Sequence, residues 1–173
     1  VGTILEARQL CLLAFGEHQP LGKRMDEAAS LHVFQYSAGR WIRLGGAAAM
    51  EGPTIQCQMP SVTFDSANMP IVAYQAVKPW APVAIRVKRF DGVWKPVGGT
   101  VGTDVRDPDT NGRIPCLPAL VGGAGNLAVA WQHHPRYRGS GVYAAELSGD
   151  QWQPVCGGAA LNVADVEAGR GQF

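Results

Sequence analysis

The sequence predicts an all-β fold built from β-propeller blades, and three observations predict it. A unit of about 58 residues recurs three times along the 173-residue chain. Each copy alternates apolar and polar residues with the period of two that marks half-buried strands. Each copy then closes on a glycine turn, a tryptophan and a glycine pair. The copies run over about 1–59, 60–117 and 118–173, and the whole of 1–173 is read as a single repeat domain.

The first two strands of each copy are the segments VGTILEARQLCLLAF (1–15), PSVTFDSANMPIVAY (60–74) and PALVGGAGNLAVAW (118–131). In each an apolar strand meets a short polar turn and a second apolar strand that ends on Ala plus an aromatic, so that Phe15, Tyr74 and Trp131 are equivalent. The third strand is clearest in AIRVKRF (84–90), where Ile85 and Val87 alternate with Arg86 and Lys88. The fourth follows a glycine hairpin in YSAGRWIRLGG (36–46), FDGVWKPVGG (90–99) and LSGDQWQPVCGG (147–158), with Trp41, Trp94 and Trp152 in register. Only GKRMDEAASL (22–31) has a pattern suited to a turn or two of helix within a loop.

A four-stranded meander cannot hide both of its faces alone, so the copies must pack face to face around an axis. The alternative is a β-trefoil, which also holds three four-stranded repeats, although its repeats are usually shorter. The glycine hairpin before each Trp and the glycine pair after it fit the outer strands of a propeller better. Three blades do not close a ring of ordinary radius, so the propeller is completed either by dimerisation or by further chain.

Composition narrows the partners. A net charge of +1, with acids and bases evenly mixed, supplies no electrostatic footprint for nucleic acid or an anionic membrane. The 22 Gly and 12 Pro are spread through the chain as strand punctuation rather than gathered in a disordered tract. LCLLAF (10–15) is far shorter than the roughly 18–20 apolar residues a spanning helix needs, so no membrane insertion is expected. Cys11, Cys57, Cys116 and Cys156 form no CxxC pair, which argues against a zinc ribbon and leaves both disulfides and buried thiols open.

The run of Pro, alternating apolars, VAW or VAY, then DG..W.P.GG resembles the sialidase-like, Asp-box-type propeller repeats of exported bacterial proteins. Asp91, Gly92 and Trp94 match part of the box; Ser37 with Gly39, and Ser148 with Gly149 and Asp150, are weaker variants. The resemblance implies a fold and an extracellular or periplasmic location, and it implies that the box is a folding device remote from catalysis. Sialidase chemistry would need an arginine cluster and a Tyr–Glu pair. Glu6, Glu17, Glu51, Glu146 and Glu167 recur at no repeat position suited to a central site, so no catalytic residue is assigned.

Two groups of residues remain as candidates for binding. The loops between the second and third strands carry His18, then Lys78 and Trp80, then His133, His134, Arg136 and Tyr137, and in a propeller these loops converge at one end. Aromatic rings beside cationic groups suit a protein or glycan surface. DPDTNG (107–112) opens like a calcium loop: Asp107, Asp109 and Asn111 alternate, Asp104 stands upstream, and Pro118 replaces the closing Glu. Calcium is thus the one candidate cofactor, and weak binding is expected. The expected function is a non-enzymatic binding or scaffold module on the cell exterior, a homo-oligomer or part of a larger chain. The alternative is a fragment of a sialidase-like glycoside hydrolase whose catalytic residues lie largely outside this chain.

Overall fold

A computed structural model describes residues 11–16, 31–45, 55–77, 84–103, 113–123, 126–135 and 141–155. They form three antiparallel sheets, one for each copy of the repeat. The first holds β1 (Cys11–Gly16), β2 (Leu31–Ser37) and β3 (Arg40–Arg43). The second runs β4 (Gln56–Phe64), β5 (Pro70–Val77), β6 (Ala84–Asp91) and β7 (Val93–Thr103) in sheet order. The third repeats that order with β8 (Arg113–Gly123), β9 (Asn126–Pro135), β10 (Gly141–Ser148) and β11 (Gln151–Pro154). The first strand expected for copy one, and the helical turn expected from 22 onward, lie outside the described residues up to Leu31, which opens β2.

The register superimposes the copies residue by residue. Phe15, Tyr74 and Trp131 lie opposite His32, Arg86 and Tyr143, and four residues further along those third strands Tyr36, Phe90 and Leu147 lie opposite Trp41, Trp94 and Trp152. The sheets stay separate and stack, which is the propeller expected and not a closed trefoil barrel.

Pro60 and Pro118 do not open their strands. They sit inside β4 and β8, at an irregularity between Gln58 and Ser61 and its counterpart between Cys116 and Ala119. Each inserts one extra residue into the strand, and the residue before each proline, Met59 or Leu117, has φ near +50°. A bulge suits proline there, because the unpaired position needs no N–H for the ladder.

Two apolar clusters hold the blades together. Leu31, Val33, Cys57, Val72, Tyr74 and Ala76 fill the space between the first and second sheets, where Cys57 is a buried thiol. Ile71, Ala73, Ile85, Val87, Leu120, Leu127, Val129, Trp131 and Ala145 fill the space between the second and third. Strand β5 therefore contributes one face to each cluster, and Pro70 to Ala76 are all buried. Its near-continuous apolar sequence follows from being covered on both sides.

Candidate functional site

The antiparallel order fixes which segments share an end of the blades. Strands β4 and β8 both start, and β7 ends, at the end where β5 finishes at Val77 and β9 at Pro135. The connections between second and third strands and those between blades all depart from this end. The tight hairpins at 38–39, 65–69, 92 and 149–150 occupy the other. The described strand ends that flank the candidate loops therefore lie at one end of the blades, while the loops themselves fall outside the described residues.

His18, Lys78, Trp80, Arg136 and Tyr137 lie outside the described residues, as do Asp104, Asp107, Asp109 and Asn111 of the calcium-like loop. His133 and His134 belong to the last residues of β9 rather than to the loop after it, with His133 opposite Pro115 and Gly141, and His134 opposite Ile114.

The described carboxylates gather near the hairpin end and are engaged structurally or solvated. Asp65 Oδ1 accepts from the backbone N–H of Ala67 at 2.9 Å and of Met69 at 2.8 Å, which closes the β4–β5 turn, and Oδ2 lies 3.5 Å from Arg89. Asp91 accepts from Lys95 Nζ at 2.8 Å across the β6–β7 hairpin. That hydrogen bond, with the Lys95 charge behind it, holds the exposed Asp91 carboxyl below the usual aspartate range. Glu146 on β10 and Asp150 in the last hairpin are exposed. No group of three or more potential metal ligands occurs among the described residues, and no helix among them is long and apolar enough to cross a membrane.

What the described residues do show is how blades are joined. Trp94 Nε1 donates to the carbonyl of Leu44 in the preceding blade at 3.4 Å, and Trp152 Nε1 donates to the carbonyl of Val97 at 2.9 Å. The residue after each acceptor is a glycine with positive φ: Gly45 at 81° and Gly98 at 64°. A Cβ at Gly45 would stand 2.6 Å from Trp94 Nε1, and one at Gly98 would stand 2.5 Å from Trp152 Nε1, so neither position admits a side chain. The glycine pair read in the sequence as a turn signal is in part a seat for the next blade's indole. Nearer the strands that open each blade, Ser61 Oγ accepts from the backbone N–H of Leu120 at 3.0 Å, tying β4 to β8.

The chain folds as blades of a β-propeller, and two solved glycoside hydrolases share that fold. One is an endo-arabinase from Bacteroides thetaiotaomicron VPI-5482, 12% identical, with a TM-score of 0.57 over 88% of this chain and 58% of that one. The other is a thermostable family-43 glycoside hydrolase, 10% identical, with a TM-score of 0.58 over 87% of this chain and 51% of that one. The chain thus spans between half and three-fifths of the length of these structures. No protein-family model matches the sequence, and no curated protein matches it.

These neighbours correct the expectation of a non-enzymatic module, because both propellers that share the fold are enzymes. That expectation rested on finding no acid repeated from blade to blade. Catalytic groups need not follow the repeat, since blades form the scaffold and one or two side chains from single blades form a site. The propeller itself stands, but the neighbours do not bear on the Asp-box family specifically. Here the partial box is a hairpin in which Asp91 bonds Lys95 and Trp94 packs toward the first blade.

Proposed function

We propose that this chain is a three-bladed section of a glycoside hydrolase propeller, acting on a polysaccharide outside the cell. The observation that carries the reading is the shared arrangement: 88% of the chain superimposes on a solved endo-arabinase that continues well beyond it. Hydrolysis of a glycosidic bond requires a carboxylic acid to protonate the leaving oxygen and a second carboxylate to activate water or attack the sugar. Asp65 and Asp91 are engaged in turn closure and an ion pair, so the reading assigns the reacting pair to other acids. It seeks them at the end from which the long connections depart, in this chain or in further blades. Trp80 and Tyr137, with His18, Lys78 and Arg136, fall in those connections and would serve as sugar-stacking and hydrogen-bonding groups around the cleft. The sialidase-like hairpins are compatible with this role, since they build blades rather than sites.

The test is hydrolysis by the native full-length protein on a panel of polysaccharides that includes arabinan and sialylated glycans, followed by reducing-sugar release. Release from a neutral polysaccharide, reduced at least about tenfold by Trp80→Ala, supports the reading. Release of sialic acid alone would move the protein to the sialidase type. No release from any glycan by the folded full-length protein would overturn the proposal.

A further inference from the structure

The bulges of β4 and β8 hold a backbone that their side chains disfavour. Met59 and Leu117 both have φ near +50°, and each precedes a proline, which presses the residue before it toward extended backbone. Ala38 and Asn68, the other described non-glycine residues with positive φ, lie in hairpin connections, where such angles belong to the turn. Met59 and Leu117 lie inside strands. At each bulge two residues of the first strand stand against one of the second: Met59 and Pro60 against Tyr74, Leu117 and Pro118 against Trp131. The proline is the covered member of each pair, with Pro118 buried and Pro60 half-buried. The residue before it is turned out, leaving Met59 43% and Leu117 57% exposed.

The direction in which they are turned is the propeller axis. Strands β4 and β8 approach backbone to backbone: Ser61 Oγ accepts from the N–H of Leu120, and a Cβ on Gly122 would collide with the Phe64 carbonyl oxygen. At the opposite edge the Trp152 indole stands between β11 and β7. The stack therefore narrows toward its first strands, which border the axis. Met59 belongs to the middle blade, which has a blade on either face, so its exposure is toward the axis and not toward an uncovered sheet face. The described side chains of β4 and β8 carry no charge; the polar ones are the amides of Gln56 and Gln58 and the hydroxyls of Ser61 and Thr63.

We propose that the two bulges exist to turn one apolar side chain per blade toward the axis, where Met59 and Leu117 receive the C–H face of a sugar ring in a neutral polysaccharide. No buried contact of either side chain offsets the cost of its backbone, and strained backbone of this kind gathers at ligand sites, where bulges re-aim side chains. The absence of charge along the described edge selects the class of sugar. A carboxylate-bearing glycan would find no cation there to pair with, whereas amides and hydroxyls beside an apolar surface match the hydroxyls and C–H faces of a neutral one. The identity of the occupant rests on the hydrolase reading above; the outward turn of the bulges does not. Met59 and Leu117 are binding residues in this account and take no part in bond cleavage.

The test uses the native full-length protein labelled with [13C-methyl]methionine, with the Met59 resonance assigned from Met59→Leu. Arabino-, xylo- and cello-oligosaccharides and sialyllactose are titrated in, and hydrolysis of the parent polysaccharides is followed in parallel. In the sugar-free protein the Met59 methyl should be open to a soluble paramagnetic agent, and it should shift with a neutral oligosaccharide and not with sialyllactose. Met59→Gly should raise KM about three- to tenfold with kcat held within about twofold, the pattern of lost uniform binding. It should also hold or raise the melting temperature, because glycine adopts the positive φ freely. Leu117→Gly should behave alike, and Met59→Leu should keep the wild-type KM, since leucine already occupies the equivalent place in the next blade. A methyl shielded in the sugar-free protein would overturn the inference by showing that chain covers the edge, and a shift with sialyllactose alone would overturn the class of sugar. Lowered melting temperatures in both glycine variants would make the two residues part of the core and sink the proposal. A methyl unmoved by sugar in a protein that hydrolyses a glycan would overturn this inference and leave the hydrolase reading standing. A methyl that shifts in a protein that hydrolyses nothing would uphold the sugar-binding edge and remove the hydrolase reading; neither shift nor hydrolysis would overturn both.

Discussion

The middle blade and its two neighbours carry the same repeat, yet they bury it differently. Strand β5 is covered from Pro70 to Ala76, while the equivalent stretch of β9 alternates between buried Leu127, Val129 and Trp131 and half-covered Ala128 and Ala130. The middle blade is closed on both faces by its neighbours; among the described residues each neighbour is closed on one. Equal sequence positions therefore do unequal energetic work, and a residue's contribution is set by whether a blade stands beside it. Trp94 and Trp152 have such a blade in front of them, and Trp41 faces none among the described residues.

The sharpest way to break this comparison is to empty the middle of the stack. Tyr74 is wholly buried at 0% exposure, so Tyr74→Ala should cost about 3–5 kcal/mol and unfold the two interfaces together. Urea denaturation measures it. A loss below about 1 kcal/mol would show that the blades are not stacked through β5.

Next come the tryptophans. Trp152→Ala removes the indole from its seat and leaves the Val97 carbonyl without its 2.9 Å donor, at a cost of about 2–3 kcal/mol, short of a fully buried ring because Trp152 is only partly covered. Trp41→Ala in the same chain should stay within about 0.5 kcal/mol, as an exposed substitution away from any seat. Equal losses at the two positions would erase the distinction between an indole seated on the neighbouring blade and one exposed to solvent.

A smaller effect separates the seat from the backbone that forms it. Gly98 and Gly99 both have positive φ, 64° and 75°, but an added Cβ meets Trp152 at Gly98 and open space at Gly99. Alanine at either should cost about 1–2 kcal/mol for left-handed backbone. Any excess at Gly98 is the displaced indole, and a Gly98→Ala, Trp152→Ala double-mutant cycle should recover that excess as coupling.

The repeat made much of this architecture legible. Its period-two strands, its hairpin glycines and its three tryptophans suffice for four-stranded blades in register, because each signal recurs at the same offset from Phe15, Tyr74 and Trp131. The bulges were less legible. Pro60 and Pro118 read as strand openings, whereas each sits one residue after a positive-φ Met59 or Leu117 inside a strand that begins earlier. Methionine and leucine give no local signal for such a conformation; only the recurrence of an apolar–Pro pair does. The blade seats were half visible, as a glycine pair whose second role depends on an indole about 50 residues away in sequence. The site was least legible, since repeat position says nothing about acids that belong to one blade only.

The smallest effect tests whether the hairpin ion pair matters to the stack at all. Lys95 lowers the Asp91 carboxyl, so the folded value lies below the unfolded one. The contribution is then fully present above the unfolded value of about 3.9 and is lost as pH falls through the lower folded value. Asp91→Asn should therefore melt slightly below wild type at neutral pH, and the two proteins should converge on acidification below that range. Both groups are largely exposed, so the difference should also vanish in about 1 M salt, where the Debye length shrinks to about 3 Å. A gap that persists in high salt, or widens in acid, would mean that Asp91 supports the hairpin by a contact other than Lys95. In that case the role of Asp91 in the hairpin would have to be reassigned to a neutral hydrogen bond, and Asp91→Ala measured against Asp91→Asn would read its size.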